Sequence, residues 1–153
     1  MIMTSRAIHF GMTEMIKKQK KWTIMTSIKQ IIITYNTIGF RVKHVLGYGQ
    51  IKCIRDDLEC KGIILNITAH DEHVPEVEKY IRTIIERTLA TIDTVIFEKY
   101  PYQLIVEIIY NTVFWLNCFT HKNGIHPPLS ARTIVRGTTI NYGQTLQDTI
   151  QDI

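Results

Sequence analysis

The sequence of 153 residues has little cysteine, and its three cysteines form no Cys-x-x-Cys pair. An odd number at these spacings (Cys53, Cys60 and Cys118) indicates reduced intracellular thiols rather than a disulfide framework or a zinc knuckle. No apolar run approaches the roughly 20 residues that a membrane span needs. Residues 1–11 lack the apolar segment of a secretory signal. We therefore expect an intracellular protein with no membrane partner.

Internal repeats and low-complexity tracts are also missing, so neither a solenoid nor a disordered chain is indicated. The composition, 45% hydrophobic and 21% charged residues, is typical of one folded domain. The formal net charge of +4 permits a polyanionic partner without requiring one. The polar residues at the end of the chain, 143–153, are expected to form a flexible tail.

Hydrophobic periodicity alternates between strand and helix patterns along the chain. Strands are predicted at 5–10, 40–46 and 62–68. Helices are predicted at 13–37, at 50–60, from Pro75 onward, at 101–119, and between a Ser130 N-cap and a Gly137 C-cap. This βαβαβ order followed by helices predicts an α/β layer fold. Four aromatic residues are predicted to lie in the core: Trp22, Phe114, Trp115 and Phe119.

Two carboxylates, Glu76 and Glu78, fall in the first turn of the helix that begins at Pro75. One interpretation is electrostatic, since acidic residues stabilise a helix N-terminus by roughly 0.3–1 kcal/mol each. The other is that one of them binds a divalent metal, because Mg²⁺ in proteins is often held by one or two carboxylates. A second carboxylate would have to come from a neighbouring strand end, and the residue at that position is Tyr48, between two glycines.

Three runs of the sequence together resemble the integrase core encoded by copia-type LTR retrotransposons: GIILNITAHDEHVPEVEKYIRTIIERTLAT, LIVEIIYNTVFWLNCF and LSARTIVRGTTINY. The resemblance covers about Ile8 to Tyr142. It implies a ribonuclease-H-like sheet flanked by helices over residues 1–142. It further implies strand transfer of element DNA into a target, catalysed by two Asp and one Glu that hold two Mg²⁺ or Mn²⁺ ions. DNA as partner, a homodimer and a nuclear location are expected on the same basis.

The catalytic Glu of that family lies in a helix-opening motif of the form Asn-Gly-x-x-Glu-Arg. In VPEVEKYIRT the matching positions are Glu78 for the Glu and Lys79 for the Arg, whereas Val74 and Pro75 replace Asn-Gly. The resemblance therefore makes Glu78, and not Glu76, the candidate catalytic residue and metal ligand.

The two family Asp residues have no acidic counterpart in this sequence. The second Asp ends a strand in an Asp-Gly turn, and its place is taken by Tyr48. The first Asp belongs to a strand that should precede residues 5–10, but no acidic residue occurs before Glu14. A neutral phenol is a poor ligand for Mg²⁺, and two-metal catalysis needs two ions held about 3.5–4 Å apart. We therefore expect a core that lacks its first strands and is catalytically inactive.

Other acids could in principle replace the missing ligands, but their positions favour different roles. Asp56 and Asp57 fall on the solvated face of the short helix predicted at 50–60. Asp71 and Glu72 lie in the loop before the Glu78 helix, where acids usually act as caps.

Nucleic-acid binding could persist without catalysis, because it needs positive charge on one face. Two sets of basic residues are candidates: Lys79, Arg82 and Arg87 on the helix that carries Glu78, and Lys17, Lys18, Lys20 and Lys21 in the run KKQKK. The resemblance favours the first set. Ordinary structural roles are a Glu78–Arg82 ion pair and a solvated helix face for KKQKK. A non-catalytic module that binds nucleic acid or protein, or a remnant that folds poorly, are the alternatives to an integrase core.

Overall fold

The N-terminal segment forms an antiparallel hairpin of two short strands, β1 (Ile2–Thr4) and β2 (Gly11–Thr13). The structure is a computed structural model, and it describes residues 1–68, 74–95, 99–122, 124–126 and 128–144. The strand predicted at 5–10 is wrong: these residues form the hairpin loop, which is closed by a hydrogen bond from Ser5 N–H to the Phe10 carbonyl (3.0 Å). Ile8 at its centre is nevertheless buried.

The remaining strands, β3 (His44–Gly47) and β4 (Ile64–Ile67), form a separate parallel pair. The helices are α1 (Lys21–Thr37), α2 (Arg55–Glu59), α3 (Pro75–Thr94), α4 (Tyr102–Cys118) and α5 (Ala131–Arg136), with a 3₁₀ segment at Gly49–Ile54. The fold is therefore α/β, as predicted, with two small sheets flanked by helices. No helix within the described ranges is long and apolar enough to cross a membrane.

Helix α1 packs on β3 and β4 through the apolar stripe that its sequence predicts. Met25, Ile28, Ile32 and Tyr35 are all buried, and the first three join Val45 and other residues in one core cluster. The prediction that this helix begins near Thr13 is wrong, because residues 11–13 pair in β2 and the helix begins only at Lys21. Lys17, Lys18 and Lys20 consequently lie before the helix.

The two caps predicted for the last helix, Ser130 and Gly137, are confirmed. The Ser130 hydroxyl accepts a hydrogen bond from the Thr133 N–H (3.1 Å), and Gly137 ends α5 in the left-handed region (φ 70°). Pro75 begins α3, where its missing N–H costs nothing. Of the predicted tail, only residues 143 and 144 are among those described.

A buried amide side chain joins the hairpin to α4. Asn117, which is 5% exposed, accepts from the Gly11 N–H (2.8 Å) and donates to the Gly11 carbonyl (2.7 Å). The donor and the acceptor of Gly11 are thus both satisfied in the interior by one residue 106 positions away. Gly11 has no room for a Cβ atom, because the phenol of Tyr80 occupies that space.

We expect Asn117→Leu to destabilise the fold by about 2–4 kcal/mol, because it leaves a donor and an acceptor of Gly11 buried without partners. Chemical denaturation measures this change. The matched control is Asn36→Leu on the exposed side of α1, which should change the free energy of unfolding by no more than about 0.5 kcal/mol. Equal effects of the two substitutions would contradict the assignment of this anchoring role to Asn117.

Candidate functional site

The site begins at the shared edge where the two parallel strands end. Gly47 lies opposite Ile67 in the register of β3 and β4. Thr68, the residue after β4, donates both its N–H (3.0 Å) and its hydroxyl (3.3 Å) to the Gly47 carbonyl. These bonds tie the two strand ends together, so the residue that follows Gly47 has a fixed position.

That residue is Tyr48, and the chain turns at once into the 3₁₀ segment that begins at Gly49. A Cβ atom at position 47 would overlap Cδ1 of Ile51, so a larger residue there would displace the end of that side chain. The hydrogen bond from the Ile51 N–H to the Tyr48 carbonyl (3.1 Å) closes the turn directly behind the strand. Tyr48 is therefore held at the strand end with 37% of its surface exposed.

The first turn of α3 faces the same edge. Val74, which precedes Pro75, is buried, and its carbonyl accepts from the Glu78 N–H (3.1 Å). The two acids of this turn point to different partners. Glu76 pairs with Arg6 of the hairpin loop (2.8 Å), whereas Glu78 meets Tyr48. The structure thus gives Glu76 a role in packing the hairpin against α3 and places Glu78 at the strand edge.

The hydroxyl of Tyr48 donates a hydrogen bond to Oε1 of Glu78 (3.1 Å). The two residues that the sequence pairs across 30 positions are therefore brought together. Partial desolvation raises the pKa of the Tyr48 phenol above its ordinary value of 10.0, and the hydrogen bond and the negative charge of Glu78 raise it further. The phenol is accordingly protonated at neutral pH and acts as a donor.

This donor set does not fit a two-metal centre. A protonated phenol offers no anionic oxygen to Mg²⁺ or Mn²⁺, and the oxygen of Glu78 nearest to it already accepts a hydrogen bond. Asp57 is engaged elsewhere by Lys21 (2.8 Å). Asp71 and Glu72 lie outside the described residues. Across the part of the chain that is described, no three His, Cys, Asp or Glu side chains are grouped so that they could hold a metal ion.

The basic residues of α3 line or flank an open groove of about 520 Å³. Its lining consists of Pro75, Glu78, Lys79, Arg82, Thr83 and Glu86. Its charged side chains are thus two acids and two bases. Arg87 is exposed but does not line the groove. The predicted cations of α3 are therefore accessible, although the groove itself is not strongly positive.

The run KKQKK lies in a different place from the α3 groove. Lys21 lines a second groove, between α1 and α2, which shares no lining residue with the first. The other lysines of the run, Lys17, Lys18 and Lys20, are exposed in the segment that leads into α1. The two predicted nucleic-acid-binding sets do not form a common groove.

The prediction that four aromatic residues lie in the core is wrong for two of them. Trp22 is 67% exposed and Phe119 is 51% exposed. Trp22 lies one position after the start of α1, outside the stripe that packs on the sheet, and Phe119 follows the last residue of α4. Periodicity favours burial of Trp22, because it lies three positions before Met25, and its exposure in the first turn of α1 is decided by the tertiary packing.

A stacked pair of histidines was not predicted. The rings of His9 and His121 lie 3.8 Å apart between centroids, with an interplanar angle of 17°. Burial, followed by the nearby His9 and Lys79, lowers the pKa of His121. His9 has a left-handed backbone conformation (φ 53°) in the hairpin loop. No sequence signal joins two histidines this far apart in the chain.

Comparison with known proteins does not extend these observations. No protein-family model matches the chain, and no curated protein matches it at a significant level.

We expect Glu78→Gln to lower the pKa of Tyr48 toward 10.0, because it removes the negative charge that opposes phenolate formation. The pKa should remain above 10.0, since the partial desolvation persists. An NMR titration of ring-labelled tyrosine, assigned with Tyr48→Phe, measures it. The pKa of the Tyr48 phenol is higher in the folded than in the unfolded chain. The protonated phenol therefore adds to the free energy of unfolding at pH values below its ordinary pKa, and this contribution is lost as the pH rises through the folded-state pKa.

The matched control for this titration is Glu76→Gln, two positions earlier in the same turn. Glu76 bonds Arg6 and not Tyr48, so its substitution should leave the phenol pKa unchanged. An equal shift in both variants would mean that the general field of the helix start, and not the Glu78 contact, controls Tyr48.

Proposed function

We propose that this chain is a non-catalytic derivative of a ribonuclease-H-like integrase core that binds nucleic acid and does not cut or join it. The observation that carries the proposal is the 3.1 Å hydrogen bond between Tyr48 and Glu78. It supports the match of both residues to family positions that were chosen from the sequence alone. A homodimer and a nuclear location belong to the same proposal.

The arrangement of elements around that bond supports the kinship. A strand, a short helix and a parallel strand are followed by a long helix whose first turn faces the strand ends. In open α/β sheets, sites are built outside the carboxyl ends of the strands. Tyr48 and Glu78 occupy such a site, and this is where the resemblance puts the second Asp and the Glu.

The chemistry at the site supports the loss of catalysis. An active core would need anionic oxygens from two strands to hold both metal ions. Here the strand end supplies a neutral donor, which stabilises the Glu78 carboxylate through a hydrogen bond. The phenol therefore replaces part of the interaction that a cation would otherwise make with Glu78, and α3 can dock on the sheet edge without metal.

Retained nucleic-acid binding is supported by the cations of α3. Lys79, Arg82 and Arg87 are exposed on one helix and span about 12 Å along its axis at 1.5 Å per residue. The formal net charge of the chain is +4. Positive side chains spread over this length can contact successive phosphates of a nucleic-acid backbone.

We expect Tyr48→Asp to create a cation site together with Glu78. Mn²⁺ should then raise the melting temperature of this variant, by an amount that corresponds to about 2.7 kcal/mol when the metal concentration is 100 times the dissociation constant. Mn²⁺ should have no such effect on the unmodified protein or on Tyr48→Asp combined with Glu78→Gln. Differential scanning fluorimetry measures all three.

Tyr48→Asn is the control for this experiment, because it removes the phenol without supplying a charge. A Mn²⁺ stabilisation of the unmodified protein that Glu78→Gln abolishes would overturn the proposal, since it would show a working metal centre.

We expect the double substitution Arg82→Gln and Arg87→Gln to weaken DNA binding and to reduce its salt dependence. The slope of log K against log salt should fall in magnitude by about 1.8, because each lost phosphate contact removes about 0.9. Fluorescence anisotropy with a labelled duplex at several salt concentrations measures the slope.

The matched control is the double substitution Arg41→Gln and Arg136→Gln, which changes the net charge equally at exposed positions outside α3. An equal loss of slope in both double variants would show that DNA responds to net charge and would contradict a role for α3.

A further inference from the structure

A large aromatic side chain is exposed to solvent near several lysines at the start of α1. Trp22 is 67% exposed, although an indole is among the side chains that gain most from burial. It is preceded by Lys20 and Lys21, and Lys29 follows seven positions later on the same side of the helix. An exposed tryptophan surrounded by positive charge differs from an isolated surface hydrophobe.

The groove beside Trp22 has a volume of about 400 Å³ and lies between α1 and α2. Its lining consists of Lys21, Trp22, Met25, Thr26, Lys29 and Asp57. The one acid, Asp57, is paired with Lys21 at 2.8 Å. Among the described residues, Lys20 and Lys29 have no acidic side chain within ion-pair distance. Of the two lysines that line the groove, Lys21 is thus neutralised and Lys29 is not, and Lys20 lies next to Lys21 in the chain. The groove therefore combines an aromatic surface with one lining cation that has no acidic partner within the described ranges.

Lys20 and Lys21 do not stabilise the start of α1. The N-terminus of a helix carries the positive end of its dipole, so cations there are unfavourable. Helix α1 has no acidic residue in its first turn and no side-chain cap at Lys20. Helix stability consequently does not explain the positive charge at this end of α1. The ion pair with Asp57 accounts for Lys21, and an anionic ligand would account for Lys20.

We propose that this groove binds single-stranded nucleic acid, with one base stacked on the indole of Trp22 and flanking phosphates paired with Lys20 and Lys29. Trp22 and Lys29 are about 10 Å apart along the helix axis at 1.5 Å per residue. A base can stack on a protein aromatic ring only where its face is not covered by neighbouring base pairs, so an unpaired strand fits and a duplex does not. Cationic grooves with stacking aromatics are the usual way of holding such strands.

This inference does not depend on the site at Tyr48 and Glu78 or on the cations of α3, because the two grooves have no lining residue in common. It assigns single strands to the α1 groove, whereas the proposed function assigns nucleic-acid backbone contacts to α3.

The test uses the full chain and an oligothymidylate as the single-stranded probe. The chain has two tryptophans, so Trp115→Phe leaves Trp22 as the sole indole reporter. In that background the oligonucleotide should quench tryptophan fluorescence, and a duplex of the same length should not. Trp22→Ala should weaken oligonucleotide binding, measured by anisotropy, by at least about fivefold, whereas Trp22→Phe should retain most of the affinity because it preserves a stacking ring.

The cation part of the proposal is tested by Lys29→Gln, which should reduce the salt slope for the oligonucleotide by about 0.7. Lys99→Gln, an exposed lysine outside both grooves, is the matched control and should leave the slope unchanged. Quenching should persist in Arg82→Gln with Arg87→Gln, which separates this site from α3.

Three results would overturn the inference. One is an unchanged affinity in Trp22→Ala, whose folded state circular dichroism can verify. Another is equal quenching by the duplex. The third is a change of oligomeric state in Trp22→Ala together with unchanged oligonucleotide binding. Analytical ultracentrifugation without nucleic acid measures the oligomeric state. This result would assign the exposed indole to an interface between copies of the chain.

Discussion

The parallel pairing of β3 and β4 is the constraint on which the site depends. Its register sets Gly47 opposite Ile67, and the bonds from Thr68 to the Gly47 carbonyl close the edge. A slip of one residue would turn every side chain of a strand to the opposite face, and Val45 and Leu65 would leave the core that α1 covers. The burial of these apolar residues therefore fixes the position of Tyr48, the residue immediately after the edge.

The hydrogen bond between Tyr48 and Glu78 connects the strand edge to α3 without a metal ion. A carboxylate at this place would repel Glu78 unless a cation lay between them, whereas a phenol donates a hydrogen bond directly. The aromatic residue thus makes the contact between sheet and α3 independent of divalent ions. A phenol also offers no anionic oxygen to a divalent metal, so the metal-free contact and the absence of catalysis in the proposed function have the same physical basis.

The two charged grooves differ in character. In the groove along α3, Glu78 and Glu86 offset the charges of Lys79 and Arg82. In the groove at the start of α1, Lys21 and Lys29 lie with an exposed indole, and the one lining acid, Asp57, is paired with Lys21. The proposed nucleic-acid contacts of the first surface would be to phosphate alone, while the second also offers a stacking face. The aromatic ring, rather than the amount of positive charge, distinguishes the two.

The sequence by itself determined the α/β class, the packing stripe of α1, the start of α3 at Pro75 and the caps at Ser130 and Gly137, because each of these depends on neighbours within one or two turns of chain. It also singled out Tyr48 and Glu78, through a resemblance to a family pattern. Only the tertiary structure decided that Glu76 turns to Arg6 while Glu78 turns to Tyr48, that Asn117 holds Gly11, and that Trp22 stays outside the core. These facts join residues far apart in the chain, and their partners are set by how helices and strands pack, which local periodicity does not contain.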